Sequence, residues 1–113
     1  MKTVTERPSF QGDVMIRRIE AIPAGTILAS AENGRHIIAH SETGHHHVVD
    51  SRNAQLLIDK TNTFVAWLDV AGPTVLKHLR NFDTHESYLL QPGKYEIRRQ
   101  REHAPEGWRR AAD

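Results

Sequence analysis

The chain has 113 residues, 38% of them apolar, and 15 Lys and Arg against 14 Asp and Glu. That length suits one domain with one core, and the near-balance of charge argues against a dedicated nucleic-acid binder. The absence of cysteine excludes disulfides, zinc–thiolate sites and thiol catalysis.

Residues 1–11 lack an apolar period and read as an extended N-terminal arm carrying Phe10. They contain no apolar signal core, and no apolar run approaches the ~20 residues that span a bilayer. The expectation is cytoplasmic synthesis and no membrane partner. Val14–Ile19 begins a β core that runs over residues 12–102. Pro23 and Gly25 mark a turn, and Thr26–Ala29 is a short strand. Asn33-Gly34 is the strongest short hairpin signal, because both residues tolerate the positive φ of a type I′ turn. Arg35–His40 is the expected return strand, and Ser41–Gly44 a second tight turn before His45–Asp50.

Gln55–Ile58 and Thr63–Leu68 follow, the second rich in β-formers and including Trp67 as a core candidate. Ala71-Gly72-Pro73 breaks the pattern before Thr74–Leu79. A polar loop leads to Ser87–Leu90, the turn Gln91-Pro92-Gly93 and a last strand over Lys94–Arg101. Residues 103–113 form a tail that could be one helical turn or an extended arm. Eight or nine short strands with turns at this spacing predict an all-β fold: a small antiparallel β-sandwich or barrel with an arm at each end.

The chain has eight histidines, and His36, His40, His45, His46 and His47 crowd into one predicted hairpin. With the turn centred on Glu42-Thr43, His40 lies opposite His45, Ile38 opposite His47 and His36 opposite Val49. Period-two alternation then puts His36, Ile38, His40, His45, His47 and Val49 on one face. Directly opposite positions lie about 5 Å apart, so His40, His45 and His47 form a triangle able to close around one divalent ion. Three imidazoles with an open position suit zinc, and also nickel, copper or iron. The competing expectation is that these histidines are solvated or lie at an interface. No cofactor is otherwise required.

A His-x-His strand followed by a Pro-Gly turn is similar to the cupins. That resemblance implies a jelly roll with His45 and His47 as early metal ligands and His78 or His85 as the late one. The sequence has no Glu after His47 at the family's spacing. A Ser41, His45, Asp50 triad can be assembled, but no G-x-S-x-G elbow accompanies it. No phosphate-loop or dinucleotide fingerprint is present either.

The opening Gln11-Gly12-Asp13-Val14, the segment Gly44-His45-His46-His47, and Leu89 to Glu102 followed by Arg109-Arg110 carry a second resemblance. They resemble a group of short uncharacterised proteins encoded by bacteria and tailed phages. That likeness implies a virion accessory protein, such as a head-decoration or cement protein. Phe10 in one arm and Trp108, Arg109 and Arg110 in the other are the partner-contact candidates, because an aromatic in a polar arm needs a surface to cover it. The leading expectation is a non-enzymatic structural or interaction protein that forms a homo-oligomer or joins a larger assembly such as a capsid. A histidine-rich metal-binding barrel with metal-dependent activity is the alternative. A small nucleic-acid-binding barrel using Arg98, Arg99 and Arg101 ranks third.

Overall fold

The computed structural model describes residues 1–39, 46–78 and 86–99, and the backbone of 101–104 and 107–110. All the regular structure among them is β. In chain order the strands are β1 (Lys2–Thr3), β2 (Ser9–Gln11), β3 (Val14–Ile19), β4 (Ile27–Leu28), β5 (Arg35–Ala39), β6 (His47–Asp50) and β7 (Ala54–Asp59). There follow β8 (Asn62–Val70), β9 (Thr74–His78), β10 (Tyr88–Leu90), β11 (Gly93–Arg99), β12 (Arg101–Ala104) and β13 (Gly107–Arg110).

Five strands form one sheet in the order β1-β10-β9-β6-β5, and six form a second in the order β2-β3-β11-β8-β7-β4. Pairing is antiparallel except between β1 and β10. The chain changes sheet hairpin by hairpin: β5–β6 and β9–β10 lie in the first, β7–β8 in the second.

Alternation in each strand builds the core. Ile38, Val49, Leu76 and Leu90 of the first sheet and Val14, Ile16, Leu56, Leu68, Tyr95 and Ile97 of the second fall in one buried cluster. Each fully buried Leu, Ile or Val contributes roughly 1.5–3 kcal/mol. A single cluster drawn from two sheets is the signature of a sandwich. Trp67 is buried, but it lies outside this cluster, with Met15 and Val65, on the outer face of the six-stranded sheet. There, Glu96 pairs with Trp67 on one side and Arg17 on the other in register, and its carboxylate accepts from Arg17 Nε at 3.1 Å. Trp67 is thus buried, as expected of a core candidate, but on the outer face of its sheet, because period two sends Ala66 and Leu68 to the opposite face.

The N-terminal segment is extended but is no free arm. β1 runs beside β10, the Arg18 N–H donates to Thr5 O, and β2 pairs with β3. Residues 1–11 therefore touch both sheets and bury Val4 and Gln11 between them. The tail is also extended: β12 and β13 pair with each other, His103 opposite Trp108.

Asn33 and Gly34 take φ of 53° and 76°, closed by reciprocal hydrogen bonds between Glu32 and Arg35. The turn is the one expected, but its flanking strands do not pair with each other. β4 pairs with β7 of the opposite sheet. The turn thus carries the chain from one layer to the other.

Two outcomes follow from this frame. Gly34→Ala should lower stability by about 1–2 kcal/mol in thermal unfolding, because a Cβ is strained at this φ even though the surrounding space is open. Burial raises the Glu96 carboxyl, but hydrogen bonds from Arg98 and Arg17 more than offset it and hold it below its ordinary 4.5. The stabilisation from a depressed acid is present above the ordinary value and is lost as pH falls through the depressed one. Glu96→Gln should therefore flatten the acid limb of a urea-midpoint profile and leave its neutral limb parallel to wild type.

Candidate functional site

The end of the sandwich where β2, β3, β6 and β9 meet holds a concentration of buried polar side chains. Gln11 is 1% exposed, His47 1%, His78 2% and Asp13 6%. Burying such groups costs several kcal/mol unless they satisfy one another.

Local sequence explains how they arrive there. Gln11 pairs with Val14, so Gly12-Asp13 is a two-residue hairpin loop, and Gly12 takes a positive φ of 60° at its first position. That is the place a type II′ turn reserves for glycine. The turn sets Gln11 and Asp13 on one end of the six-stranded sheet. In the facing sheet, β6 and β9 place His47 opposite His78 in register. Their rings stack with centroids 4.0 Å apart and planes 7° from parallel.

Gln11 connects the two layers. Its Nε2 donates to Leu76 O at 3.1 Å and Glu86 O at 2.8 Å, and its Oε1 lies 2.9 Å from His47 Nδ1. The other ring nitrogen, His47 Nε2, is buried with no hydrogen-bond partner and lies 3.7 Å from Asp13 Oδ1.

The predicted histidine hairpin is met in part. His36 does lie opposite Val49, but His47 faces Ala39 rather than Ile38, because the register shifts between Ile37 and Ala39. The shared face is as expected for His36, Ile38, His47 and Val49, and it points into the protein: all four are buried. The expectation of solvated histidines therefore fails for His36 and His47. His36 is held by Ala54 O, 3.1 Å from its Nε2. His40 and His45, the other two corners of the expected metal triangle, lie outside the described residues, as does His85. Of the cupin-like pairing, the structure brings His47 and His78 together. Among the described residues, no three His, Asp or Glu side chains converge as a ready-made ion cage.

Other candidates are dispersed. Asp50 accepts from Arg52 at 3.1 Å and is half-exposed, so it serves a surface ion pair; Ser41 lies outside the described residues. The hydrogen bonds from Arg52 hold the Asp50 carboxyl below its ordinary range. Arg98 is drawn to Glu96, and Arg99 lies over the Phe64 ring at 6.0 Å. Phe10 is half-exposed, and its carbonyl accepts from Tyr88 Oη at 2.9 Å. The backbone of Trp108, Arg109 and Arg110 lies in β13.

Residues 10–100 match the family described as a domain of unknown function, DUF8820. The chain belongs to that family. No curated protein and no solved structure matches the chain. The matched span begins beside Gln11 and includes Asp13, His47 and His78, so the buried polar cluster lies wholly within the family domain.

Sequence reasoning did not assign Gln11 or Asp13 to a site. The available signal was the pair of polar residues around Gly12, directly before a strand whose inner face starts at Val14.

A second surface lies at the opposite edge, where β4 closes one sheet and β5 the other. A groove of about 460 Å³ opens there between the layers, lined by Ala29, Ile37, Ile38, Leu56, Ile58 and Ala66 among others. Beside it Leu28 is 63% exposed and Ile27 40%.

Gln11→Leu, nearly isosteric, should strand two backbone carbonyls and the His47 Nδ1 proton. We expect a loss of about 3 kcal/mol, a fall in Tm of roughly 10 °C by calorimetry.

Proposed function

We propose that this chain is a non-enzymatic interaction protein that acts through self-association along its β4–β5 side. The observation that carries the reading is the exposed Ile27, which lies on the same face of β4 as Ala29 and beside Ile58, next to an open apolar groove that starts at Ala29. An exposed apolar side chain beside a groove is self-complementary: a two-fold axis seats each copy's Ile27 in the other's groove. Large exposed apolar groups rimmed by polar ones mark such sites, and Glu32, Asp59 and Lys60 supply the rim.

Strand addition is the less favoured mode. β4 has two residues, and β5 carries the register shift, both of which are devices that blunt a sheet edge. Side-chain docking fits better. A role as a virion accessory protein, decorating or cementing a capsid, is the specific form of this reading. It is supported by the resemblance of the Gly44-His45-His46-His47 and Leu89–Glu102 segments to short uncharacterised proteins encoded by bacteria and tailed phages.

Sedimentation equilibrium should give a dimer or higher oligomer, with Ile27→Glu shifting it to monomer at least tenfold more readily while leaving the far-ultraviolet spectrum unchanged. A wild-type chain that stays monomeric at high micromolar concentration would sink the proposal.

A further inference from the structure

We propose that the buried gap between His47 Nε2 and Asp13 Oδ1 binds one divalent transition-metal ion. This site is independent of self-association, and Gln11 sets it up.

A carboxamide can be placed either way round, and its neighbours decide. Two backbone carbonyl oxygens, Leu76 and Glu86, lie against one end. Only the NH2 group can face them, so Oε1 faces His47 Nδ1. An oxygen there accepts, and Nδ1 therefore carries the ring proton. In the neutral ring the lone pair is left on Nε2.

That nitrogen is buried and lies 3.7 Å from the Asp13 carboxylate. The separation is too long for a hydrogen bond. It is also too short for a bridging water, since two ordinary hydrogen bonds meeting at a tetrahedral oxygen span about 4.5 Å. An electron pair this close to a carboxylate in a low-dielectric interior is repulsive unless a proton or a metal ion lies between them. An ion about 2.0–2.2 Å from each atom would see them at roughly 115–135°, a widened tetrahedral angle.

The surroundings have the form of a ligand's support. Metal-bound imidazoles donate their other N–H to a fixed acceptor, which sets tautomer and ring orientation. Gln11 does this for His47, and the stacked His78 ring fixes the plane. One imidazole and one carboxylate favour zinc, cobalt, nickel or copper over calcium or magnesium. Among the described residues two protein donors meet at this gap, and further ligands complete the coordination.

The test is calorimetric titration of untagged protein with zinc chloride, alongside long-range 1H–15N spectra of the histidines. Expected are one saturable equivalent, an Nδ1–H tautomer for His47 with and without zinc, and a zinc-dependent shift of its Nε2 resonance. Asp13→Asn, which keeps size and shape, should weaken zinc at least tenfold, and His47→Gln should abolish the equivalent. Zinc binding that survives both substitutions belongs to other histidines and overturns the assignment. So does an Nε2 that carries a proton at neutral pH and ignores zinc. Should His47→Gln fail to fold, Asp13→Asn and the wild-type spectra still decide.

Discussion

One buried carboxamide joins the two layers of this protein. Gln11 sits on the six-stranded sheet, donates to two carbonyls in or beside the five-stranded sheet's β9 and β10, and accepts from His47 on β6. Sheet-on-sheet packing is otherwise non-directional: Ile16, Leu68, Leu76 and Val49 bury area whichever way the layers slide. A fully engaged amide is directional, because each of its three bonds tolerates only a narrow range of distance and angle. It therefore fixes the offset of one layer on the other, and through that offset the position of Asp13 relative to His47.

The N-terminal segment follows from the same constraint. Its eleven residues have little apolar content, yet they bury Val4 and Gln11 and add a strand to each sheet. Its hold comes from backbone pairing and from Gln11 rather than from hydrophobic area. Unlike a mobile arm, it closes the end of the sandwich and walls in the polar cluster. At the opposite edge, among the described residues, Ile27, Leu28 and the inter-sheet groove are open. The two functional readings thus occupy opposite sides of one body: a walled polar end suited to an ion and an apolar edge suited to a second copy.

Much of the fold is legible in the sequence. The core strands β3 to β11 each fall where alternation and turn residues place them. The Asn33-Gly34 turn stands where expected, with positive φ at both residues, whereas Pro92 is a bend between layers and Gly93, at positive φ, already opens β11. These features are local, governed by φ preference and by period two. Less legible were β1 and β2, whose residues carry almost no alternation because their pairing partners, β10 and β3, supply the order. The partner of β4 was also hidden. A tight turn normally pairs the strands it joins, whereas here it passes between layers and β4 finds β7.

The site divides in the same way. The sequence by itself determined that histidines are concentrated in one hairpin, that His36, Ile38, His47 and Val49 share a face, and that cysteine chemistry is absent. Only the tertiary structure decided that this face points inward, that His47 meets His78, and that Gln11 and Asp13 complete the cluster. Side-chain alternation sorts residues into two faces but does not say which one another sheet will cover. That choice belongs to the packing of β2 and β3 over β6 and β9, contacts between residues more than thirty positions apart, for which local pattern carries no signal.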